Sequence, residues 1–507
     1  MRLSANAKKL LRERYCHEEE QPEDVYKRVA EVLSLGDKRF EKKLYKSMTD
    51  AIFLPNSPCL RNSGNKKGVL HACFVVDIQD TMESISDTLK DMIIIFKNGG
   101  GVGINFSKLR PKDALLSTGG TSSGVVSFMK LFDTATEVVK QGGFRRGALM
   151  GVLNFEHAEI MEFIRSKLTG QLTNFNISVL VSDKFMEKVE KGEDIELKDP
   201  RDNTTTGVIN AKTIYDVICF SAWNSGDPGF LFYNRINKDN PLWPGRKIKC
   251  SNPCGETPLL PYQACCLGSI NLSALVKYNK FDFKEFAKQL EIAARSLRNM
   301  NAVSYYPLPE ITKMMKETDP IGVGIMGFAD CLIKLEIYYD SEECLKFIDE
   351  VGEIYKEVTD KMAKGCFYKR IIAPTGSLSI LANCSSGIEP IFDVDFDRHL
   401  TIGVINETRP EYKSKFVRTA HQVPPEWHLK VQAQWQKWID GAVSKTVNLP
   451  ATASVDDVKK IYMQAWKSGC KGITVFRDQC KEGVLRSRKV TAPPVTRNKC
   501  DGDSCHL

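Results

Sequence analysis

The sequence lacks any hydrophobic run long enough to cross a bilayer. Its longest aliphatic run, residues 92–96, is far shorter than the about 20 apolar residues that a membrane-spanning helix needs. Residues 1–20 are charged and contain no apolar segment of the kind found in a secretory signal peptide. We therefore expect a cytoplasmic protein with no membrane partner.

A strong excess of charge is also missing. The net charge is +8 over 507 residues, and only residues 481–499 form a locally basic stretch. Because this positive charge is spread over the whole chain, it gives no reason to expect a nucleic-acid partner. A mild positive charge does suit a small anionic substrate such as a nucleotide. Hydrophobic residues at 42% and charged residues at 26% are ordinary for a globular protein, and the length allows a large buried core.

Cysteine, by contrast, is plentiful, with 16 in the chain. In a protein expected in a reducing compartment, this number argues against a disulfide framework and favours thiol or metal chemistry at some of the cysteines. Four of them lie close together in sequence: Cys250, Cys254, Cys265 and Cys266. They contain no C-x-x-C pair, so their spacing is poor for zinc. Spacing alone leaves packing, structural zinc and catalysis open for them.

The stretch 252–256, N-P-C-G-E, supplies an amide, a thiol and a carboxylate. Proline fixes the backbone and glycine lets it turn sharply, so we expect a rigid, exposed loop. Side chains two residues apart in such a loop can point at one ligand. Cys254 could then do radical or nucleophilic chemistry, Glu256 could act as a base, and Asn252 could hold a hydroxyl group.

Two further stretches show patterns that suit ligand binding. A helix predicted over residues 81–97 leads to a glycine-rich turn at 99–103, which lacks the G-x-G-x-x-G order of a dinucleotide site. Residues 373–379, A-P-T-G-S-L-S, have the small and hydroxyl-bearing residues of a phosphate cradle. The same residue types also form helix N-cap turns, so both interpretations are open.

The run 252–256, together with C-C-L-G-S-I-N-L at 265–272, resembles the active-site finger loop of the ribonucleotide reductase large subunit. Other segments follow in the order that this family requires. They include the probable strand at 71–76, the 373–379 stretch and G-I-E-P-I-F at 387–392. The resemblance covers nearly the whole chain, and it is greatest to the adenosylcobalamin-dependent, class II branch.

The branch is inferred from two missing features. Class I large subunits receive a radical from a second subunit through two adjacent tyrosines, where this chain has Val475 and Phe476 without an O–H group. A class III glycyl loop is not found near the C-terminus. The resemblance therefore implies adenosylcobalamin bound directly to this chain. Two alternatives are a class I-type subunit that needs a metal-containing partner, and a non-catalytic, zinc-stabilised nucleotide-binding protein.

The resemblance implies a thiyl-radical mechanism. A deoxyadenosyl radical, formed by homolysis of the cobalt–carbon bond, takes a hydrogen atom from Cys254. The resulting thiyl radical removes the 3′-hydrogen of a ribonucleotide, while Glu256 accepts the 3′-hydroxyl proton and Asn252 orients the ribose. The 2′-hydroxyl then leaves as water.

Four cysteines are expected to supply the reducing equivalents. The family places one redox cysteine on the first barrel strand, at Cys73, and its partner at Cys265. This pair becomes a disulfide, and Cys500 and Cys505 near the C-terminus exchange with it, since two thiols on a polar tail suit a mobile dithiol. The external reductant is expected to be a thioredoxin- or glutaredoxin-like protein.

The resemblance also implies binding sites for nucleotides, with no separate protein-bound metal. The expected substrate-binding residues are Ser57, Ala72, Cys73, Gly101, Asn252, Pro253, Cys254, Gly255, Glu256, Pro374, Thr375, Gly376, Ser377 and Leu378. Diphosphates and triphosphates are both open as substrates. A dNTP or ATP allosteric effector is expected at Asp80, Arg110 and Gln171, at a subunit interface, which makes a homodimer a candidate assembly.

The implied architecture is a ten-stranded α/β barrel of two parallel five-stranded halves, with the finger loop passing through its centre. Periodicity alone predicts only a mixed α/β protein. We expect a small N-terminal helical region at 1–54 without an ATP cone, the catalytic barrel at 55–485, and a flexible C-terminal redox tail at 486–507.

Overall fold

The structure is a computed structural model that describes residues 3–117, 119–139, 147–400, 403–480 and 485–487. Cys500 and Cys505 lie outside these residues, so their expected shuttle role stays a prediction. No helix in the described part of the chain is both long and apolar enough to span a membrane.

The helices are amphipathic and are mostly capped by short polar side chains. Along α11, for example, Phe286, Leu290 and Leu297 recur at helical spacing and are fully buried. In chain order the helices are α1 (Ala5–Arg14), α2 (Asp24–Ser34), α3 (Lys38–Thr49), α4 (Ser57–Asn62), α5 (Met82–Lys97), α6 (Val125–Val138), α7 (Ile160–Arg165), α8 (Asp183–Lys191), α9 (Ala211–Ser225), α10 (Tyr233–Lys238), α11 (Phe283–Val303), α12 (Pro309–Thr318), α13 (Phe328–Lys334), α14 (Glu342–Met362), α15 (Gly376–Ala382), α16 (Pro425–Gln436) and α17 (Val455–Lys467).

The strands are short and mostly apolar. In chain order they are β1 (Phe53–Pro55), β2 (Cys73–Val76), β3 (Gly101–Asn105), β4 (Leu149–Asn154), β5 (Phe175–Val181), β6 (Asp194–Lys198), β7 (Thr205–Asn210), β8 (Gly229–Phe232), β9 (Cys250–Ser251), β10 (Pro258–Leu259), β11 (Leu267–Asn271), β12 (Val276–Lys277), β13 (Lys280–Phe281), β14 (Gly322–Met326), β15 (Asp395–Leu400), β16 (Gly403–Thr408), β17 (Thr446–Leu449), β18 (Gly472–Arg477) and β19 (Leu485–Ser487).

The largest sheet has the strand order β17-β18-β8-β5-β4-β3-β2. Strands β2, β3, β4, β5 and β8 are parallel to one another, and helices connect several of them. Strand β18 runs antiparallel to β8 and parallel to β17. The predicted mixed α/β class is therefore confirmed.

A second, three-stranded sheet has the order β1-β11-β14, with β11 and β14 parallel. Three isolated bridges extend beyond the named strands. Val323 of β14 pairs in parallel with Arg370, Ile372 pairs in parallel with Val443, and Phe74 of β2 pairs antiparallel with Ala264. Ala264 lies shortly before β11, and Val443 lies shortly before β17, so two of these bridges occur near the two edges of the large sheet.

Side chains alternate across β2 between two hydrophobic clusters, as strand geometry requires. Phe74 and Val76 pack with the helices outside the large sheet, whereas Cys73 and Val75 face an inner cluster. Both sheets contribute to this inner cluster, which comprises Ala72, Cys73, Val75, Met150, Val152, Leu180, Leu231, Ile236, Ile248, Cys250, Leu259, Leu260, Cys265, Leu267, Phe367, Tyr368, Ile371 and Ala373.

The sequence interpretation differs from the structure in two places. Helices and loops were expected to dominate residues 183–250, yet β8 lies there in the middle of the large sheet. A buried run of four apolar residues cannot be assigned to a strand by periodicity. The glycines expected to form one turn at 99–103 are also divided, because Gly101 and Gly103 belong to β3.

Candidate active site

The stretch 252–257 is the loop of a hairpin formed by β9 and β10. The side-chain oxygen of Asn252 accepts a hydrogen bond from the N–H of Thr257 at 3.0 Å. The N–H of Gly255 donates to the carbonyl oxygen of Asn252 at 3.0 Å. Gly255 has φ of +80°, a conformation that glycine adopts without strain. Hydrogen bonds within the loop, together with the conformation of Gly255, therefore stabilise this turn.

Hydrogen bonds from two sides hold the loop in place. The side-chain amide of Asn176, on β5, donates to the carbonyl oxygen of Pro253 at 2.8 Å. The N–H of Ala442, next to the bridge that leads to β17, donates to the carbonyl oxygen of Glu256 at 2.9 Å. The loop therefore lies between the chain segments that form the two sheets.

Two glycines of β3 make room for the hairpin. A Cβ atom on Gly101 would lie 3.1 Å from the ring of Pro253 and 3.5 Å from the sulfur of Cys73. A Cβ atom on Gly103 would overlap the carbonyl oxygen of Ser251. The approach of the hairpin to β3 thus depends on glycine at these positions.

The loop is less exposed than its composition suggested. Cys254 is exposed, but Asn252 and Glu256 are only 0% and 2% exposed. The expectation of a generally exposed loop is therefore wrong, because strands surround it on both sides. Of its three candidate functional side chains, that of Cys254 is the exposed one.

Cys73 and Cys265 are neighbours across the antiparallel bridge region. The N–H of Cys265 donates to the carbonyl oxygen of Cys73 at 2.9 Å, and both side chains belong to the inner cluster. No disulfide joins the two sulfur atoms. Burial raises the pKa of the Cys265 thiol well above its usual value, and the adjacent Cys73 thiol and the Glu256 carboxylate raise it further. The pair is therefore held close to Glu256 with Cys265 protonated.

Cys266 faces the opposite way from Cys265. Its thiol donates to the carbonyl oxygen of Leu297 at 3.2 Å, and its side chain packs in the cluster beneath α11. Successive residues of an extended chain point to opposite sides, which separates the two thiols.

Among the described residues, no three His, Cys, Asp or Glu side chains are grouped as metal ligands.

A cavity of about 980 Å³ brings most of the expected substrate residues together. Those that line it are Ser57, Ala72, Cys73, Cys254, Glu256, Pro374, Thr375, Gly376, Ser377 and Leu378. Gly101, Asn252, Pro253 and Gly255 do not line it. Asn252 instead stabilises the loop through its side-chain oxygen, and its buried amide nitrogen has no hydrogen-bond partner in the described part of the chain.

The cavity also contains polar and basic residues that sequence reasoning missed. They are Arg14, Tyr15, Arg61, Asn65, Lys67, Lys97, Arg398, His399 and Arg486, among others. Arg14 donates to the hydroxyl of Ser377 at 3.3 Å, and the Tyr15 and Ser57 hydroxyls lie 2.9 Å apart. These residues come from distant segments without a local motif, so only the folded chain reveals them.

The 373–379 stretch forms a turn that leads into α15. The hydroxyl of Thr375 accepts a hydrogen bond from the N–H of Gly387 at 2.8 Å, which ties this turn to the G-I-E-P-I-F segment. Thr375 is the N-cap residue of α15 but makes no side-chain capping hydrogen bond, and the phosphate interpretation stays a prediction. The stretch begins a short helix, and it also lines the cavity.

Two of the three expected effector residues pair with each other. The guanidinium of Arg110 donates to the Asp80 carboxylate at 2.7 Å, and the Arg110 N–H donates to the same carboxylate at 3.0 Å. Gln171 makes no hydrogen bond to either residue within the described ranges. The structure thus brings Asp80 and Arg110 together, while the described residues show no hydrogen bond from Gln171 to either of them.

Val475 and Phe476 lie on β18. Val475 is 2% exposed and packs in the cluster outside the large sheet. Neither side chain has an O–H group that could carry a radical into the inner cluster.

Comparison with known proteins identifies the family. A family model described as ribonucleotide reductase, barrel domain, matches residues 71–363 and 355–476, and one described as ribonucleotide reductase, all-alpha domain, matches residues 1–68. The chain therefore belongs to the ribonucleotide reductase large-subunit family.

Similar proteins cover most of the chain. It is 41% identical over 496 residues to the vitamin B12-dependent ribonucleoside-diphosphate reductase of Thermoplasma acidophilum, spanning 86% of this chain and 64% of that protein. It is 35% identical over 587 residues to the protein of that name from Mycobacterium tuberculosis, spanning 100% of this chain and 85% of the relative. The ribonucleoside-diphosphate reductase large chain of Schizosaccharomyces pombe is 27% identical over 370 residues, 66% of this chain and 45% of its own.

Proposed function

We propose that this protein is a class II ribonucleotide reductase, which converts ribonucleotides to 2′-deoxyribonucleotides with a radical from adenosylcobalamin. The observation that carries the proposal is the single cavity lined by Cys254, Glu256, Cys73 and the 374–378 turn. It combines a radical-competent thiol, a base, a reducing thiol and a candidate phosphate site. The relatives named vitamin B12-dependent support the choice of cofactor.

The residues present fit such a cofactor. Cys254 is exposed at a cavity whose volume, about 980 Å³, lies at the upper end of the usual range for small-molecule sites. The Cys254 thiol is therefore accessible to a group bound in the cavity. Adenosylcobalamin, when bound, supplies the radical that removes the thiol hydrogen. The absence of an O–H group from Val475 and Phe476 favours this source over a partner subunit.

The chain's own residues account for the remaining steps. The Cys254 thiyl radical takes the 3′-hydrogen, and Glu256 accepts the 3′-hydroxyl proton. The Cys73/Cys265 pair provides two electrons and two protons and becomes a disulfide: one proton leaves with the 2′-hydroxyl as water, and the other becomes the new hydrogen at C2′. Cys254 then returns the hydrogen atom to C3′, and Glu256 returns its proton to the 3′-oxygen. The raised pKa of Cys265 keeps that thiol protonated until it reacts. Asn252 positions the loop from within the hairpin.

The proposal extends to the architecture. The isolated bridges that join the two sheets support a closed ring of two five-stranded halves, each half parallel within itself. Such a ring would surround the hairpin loop and the inner cluster. We assign residues 1–54 as the helical region, 55–485 as the barrel and 486–507 as the redox tail.

The regulatory and redox partners are part of the same proposal. The Asp80–Arg110 pair is the proposed site for a dNTP or ATP effector at a homodimer interface, with Gln171 nearby in the bound state. A thioredoxin- or glutaredoxin-like protein would reduce Cys500 and Cys505. The proposed location is the cytoplasm.

A deoxynucleotide-formation assay with and without adenosylcobalamin tests the function. We expect the purified chain to form deoxynucleotides only when the cofactor is added, and Cys254→Ser to abolish turnover with every reductant. Cys16→Ser is the matched control, because Cys16 does not line the cavity. Substantial turnover by Cys254→Ser would refute the radical role. A requirement for a metal-containing partner protein would favour the class I alternative.

A further inference from the structure

Four buried charges alternate in sign from the helix α13 to the cavity. Arg409 donates to the Asp330 carboxylate at 3.0 Å, and its other terminal nitrogen lies 3.6 Å from the Glu407 carboxylate. Glu407 in turn accepts a hydrogen bond from the Nε of Arg398. All four residues are between 5% and 8% exposed. The chain of charges ends at Arg398, which lines the cavity.

At the cavity end of the charge chain, Arg398 has hydrogen-bond donors that are not engaged by described residues. Its Nε is engaged by Glu407, but its two terminal nitrogens have no hydrogen-bond partner among the described residues. One of them, Nη1, lies 3.8 Å from the position that a Cβ atom on Gly376 would occupy. A guanidinium can donate five hydrogen bonds in one plane, so Arg398 presents an unfilled pair of donors beside the 374–378 turn.

Hydrogen bonds through residues 384–387 connect the four buried charges to the 374–378 turn. Arg409 donates to the carbonyl oxygen of Cys384 at 2.9 Å, and Asp330 accepts from the N–H of Ser385 at 2.6 Å. Gly387, two residues further on, donates to the Thr375 hydroxyl at 2.8 Å. The same short segment thus contacts both the turn and the Asp330–Arg409 end of the charge chain.

Burying charges is costly unless each is well paired. Arg409 lies between two carboxylates and Glu407 lies between two guanidinium groups. Asp330, at one end, pairs with Arg409 and also accepts from the N–H of Ser385, whereas Arg398, at the other end, is paired on the side of Glu407 alone. The second side opens to the cavity, where Arg14 already contacts Ser377 from another direction. The arrangement is therefore incomplete without an anion between Arg398 and the turn.

We propose that Arg398 binds the phosphate groups of the ribonucleotide substrate, and that Glu407 is a positioning residue that fixes its guanidinium. This assignment rests on the proposed function, because it takes the cavity to be the substrate site. Arginine matches phosphate oxygens with two parallel hydrogen bonds, which a lysine cannot reproduce. Arg398 thereby sets the affinity for phosphorylated over unphosphorylated nucleosides.

Calorimetric titration with cytidine diphosphate tests the assignment without any turnover. Losing one charge-assisted hydrogen-bonding group typically weakens binding by roughly 10- to 100-fold. We expect Arg398→Met to raise the Kd of cytidine diphosphate by that factor, while the inhibition constant of cytidine as a competitor stays within about two-fold. Arg398→Lys keeps the charge but not the planar guanidinium group, so its Kd for cytidine diphosphate should lie between those of the wild type and Arg398→Met.

Arg295→Met is the matched control, since Arg295 pairs with Asp37 outside the cavity. It should leave both constants unchanged. Glu407→Gln should weaken cytidine diphosphate binding less than Arg398→Met, again without changing cytidine. A thermal melt excludes unfolding as the cause, and Arg398→Lys serves if the Met variant does not fold.

The outcomes separate this assignment from the proposed function. If the wild type reduces cytidine diphosphate but both Arg398 variants bind it normally, the Arg398 role is overturned and the function stands. If the wild type binds cytidine diphosphate without reducing it, and Arg398→Met loses that binding, the function fails and the Arg398 role stands. Equal weakening for cytidine and its diphosphate, or no binding by the wild type, also overturns the role.

Discussion

Gly103 lies against the carbonyl oxygen of Ser251 so closely that any side-chain carbon at position 103 would overlap that oxygen. The contact joins β3 of the large sheet to the start of the hairpin that carries Cys254. Because the opposing atom belongs to the backbone, it cannot move aside as a flexible side chain could. The position of the Cys254 thiol therefore depends on glycine at position 103 of β3.

Gly103→Ala should displace the hairpin and reduce turnover strongly. Overpacking of this kind typically costs about 1–3 kcal/mol of stability, so we expect a folded variant with a lower melting temperature. Deoxynucleotide formation and thermal unfolding measure the two effects. Gly207→Ala is the control, because a Cβ atom at Gly207 meets no neighbouring atom. Full activity of Gly103→Ala would show that the hairpin tolerates displacement.

The adjacent cysteines 265 and 266 should behave differently when replaced. Cys265→Ala removes a thiol of the proposed redox pair, so continuous turnover should be lost with any reductant. Cys266→Ala removes a buried thiol that packs beneath α11 and should cost about 1 kcal/mol of stability while turnover continues. Steady-state assays and denaturant unfolding check both. The idea fails if Cys266→Ala is inactive and Cys265→Ala turns over normally.

Cys500→Ser tests the predicted tail shuttle. The variant should lose turnover driven by thioredoxin but keep turnover driven by a small dithiol, which can enter the cavity directly. Cys480→Ser, a change at a cysteine before the tail, should keep both activities. Equal loss with both reductants would argue against a shuttle.

The buried His428 should make the protein less stable in mild acid. Burial, and then the neighbouring Lys445, lower the pKa of His428 to about 2 from its usual 6.5. Lys445 can only donate, so Nδ1 of His428 accepts from it at 2.8 Å, while Nε2 donates to the carbonyl oxygen of Ala420 at 3.0 Å. Glu389 pairs with the other side of Lys445.

The sign of the effect follows from the lowered pKa. Below pH 6.5 the unfolded histidine takes up a proton that the folded one does not, so the stability present above this pH is lost as the pH falls. Between pH 7 and 5.5 the free energy of unfolding should drop by about 1 kcal/mol more in the wild type than in His428→Gln. Denaturant titrations of both proteins at pH 7 and at pH 5.5 measure this difference. An equal drop in the free energy of unfolding of the two proteins would contradict the prediction.

Much of the architecture could be predicted because local patterns matched the final structure. The helix expected over 81–97 is α5, Met82–Lys97, and the strand expected over 71–76 contains β2. The resemblance also identified Cys254, Glu256 and the 374–378 turn, which line one cavity. These features depend on short stretches of sequence, and so the sequence was sufficient to find them.

The remaining features depend on contacts between distant segments. Arg14, Arg398 and Arg486 reach the cavity from opposite ends of the chain, and no motif marks them. Asn252 was expected to face the ribose, but its oxygen is used within the hairpin. The exposure of the loop was also misjudged, because the surrounding strands bury it. Such properties are decided by tertiary packing rather than by residue type.

Helix α1 packs against α15, and the residues at its end, Arg14 and Tyr15, form part of the cavity wall. Through these two residues the end of α1 is in contact with Ser377 and Ser57, which also line the cavity. Removing this helix would open this end of the cavity to solvent. We therefore expect a chain shortened by α1 to lose part of the cavity wall even though every strand and the hairpin remain.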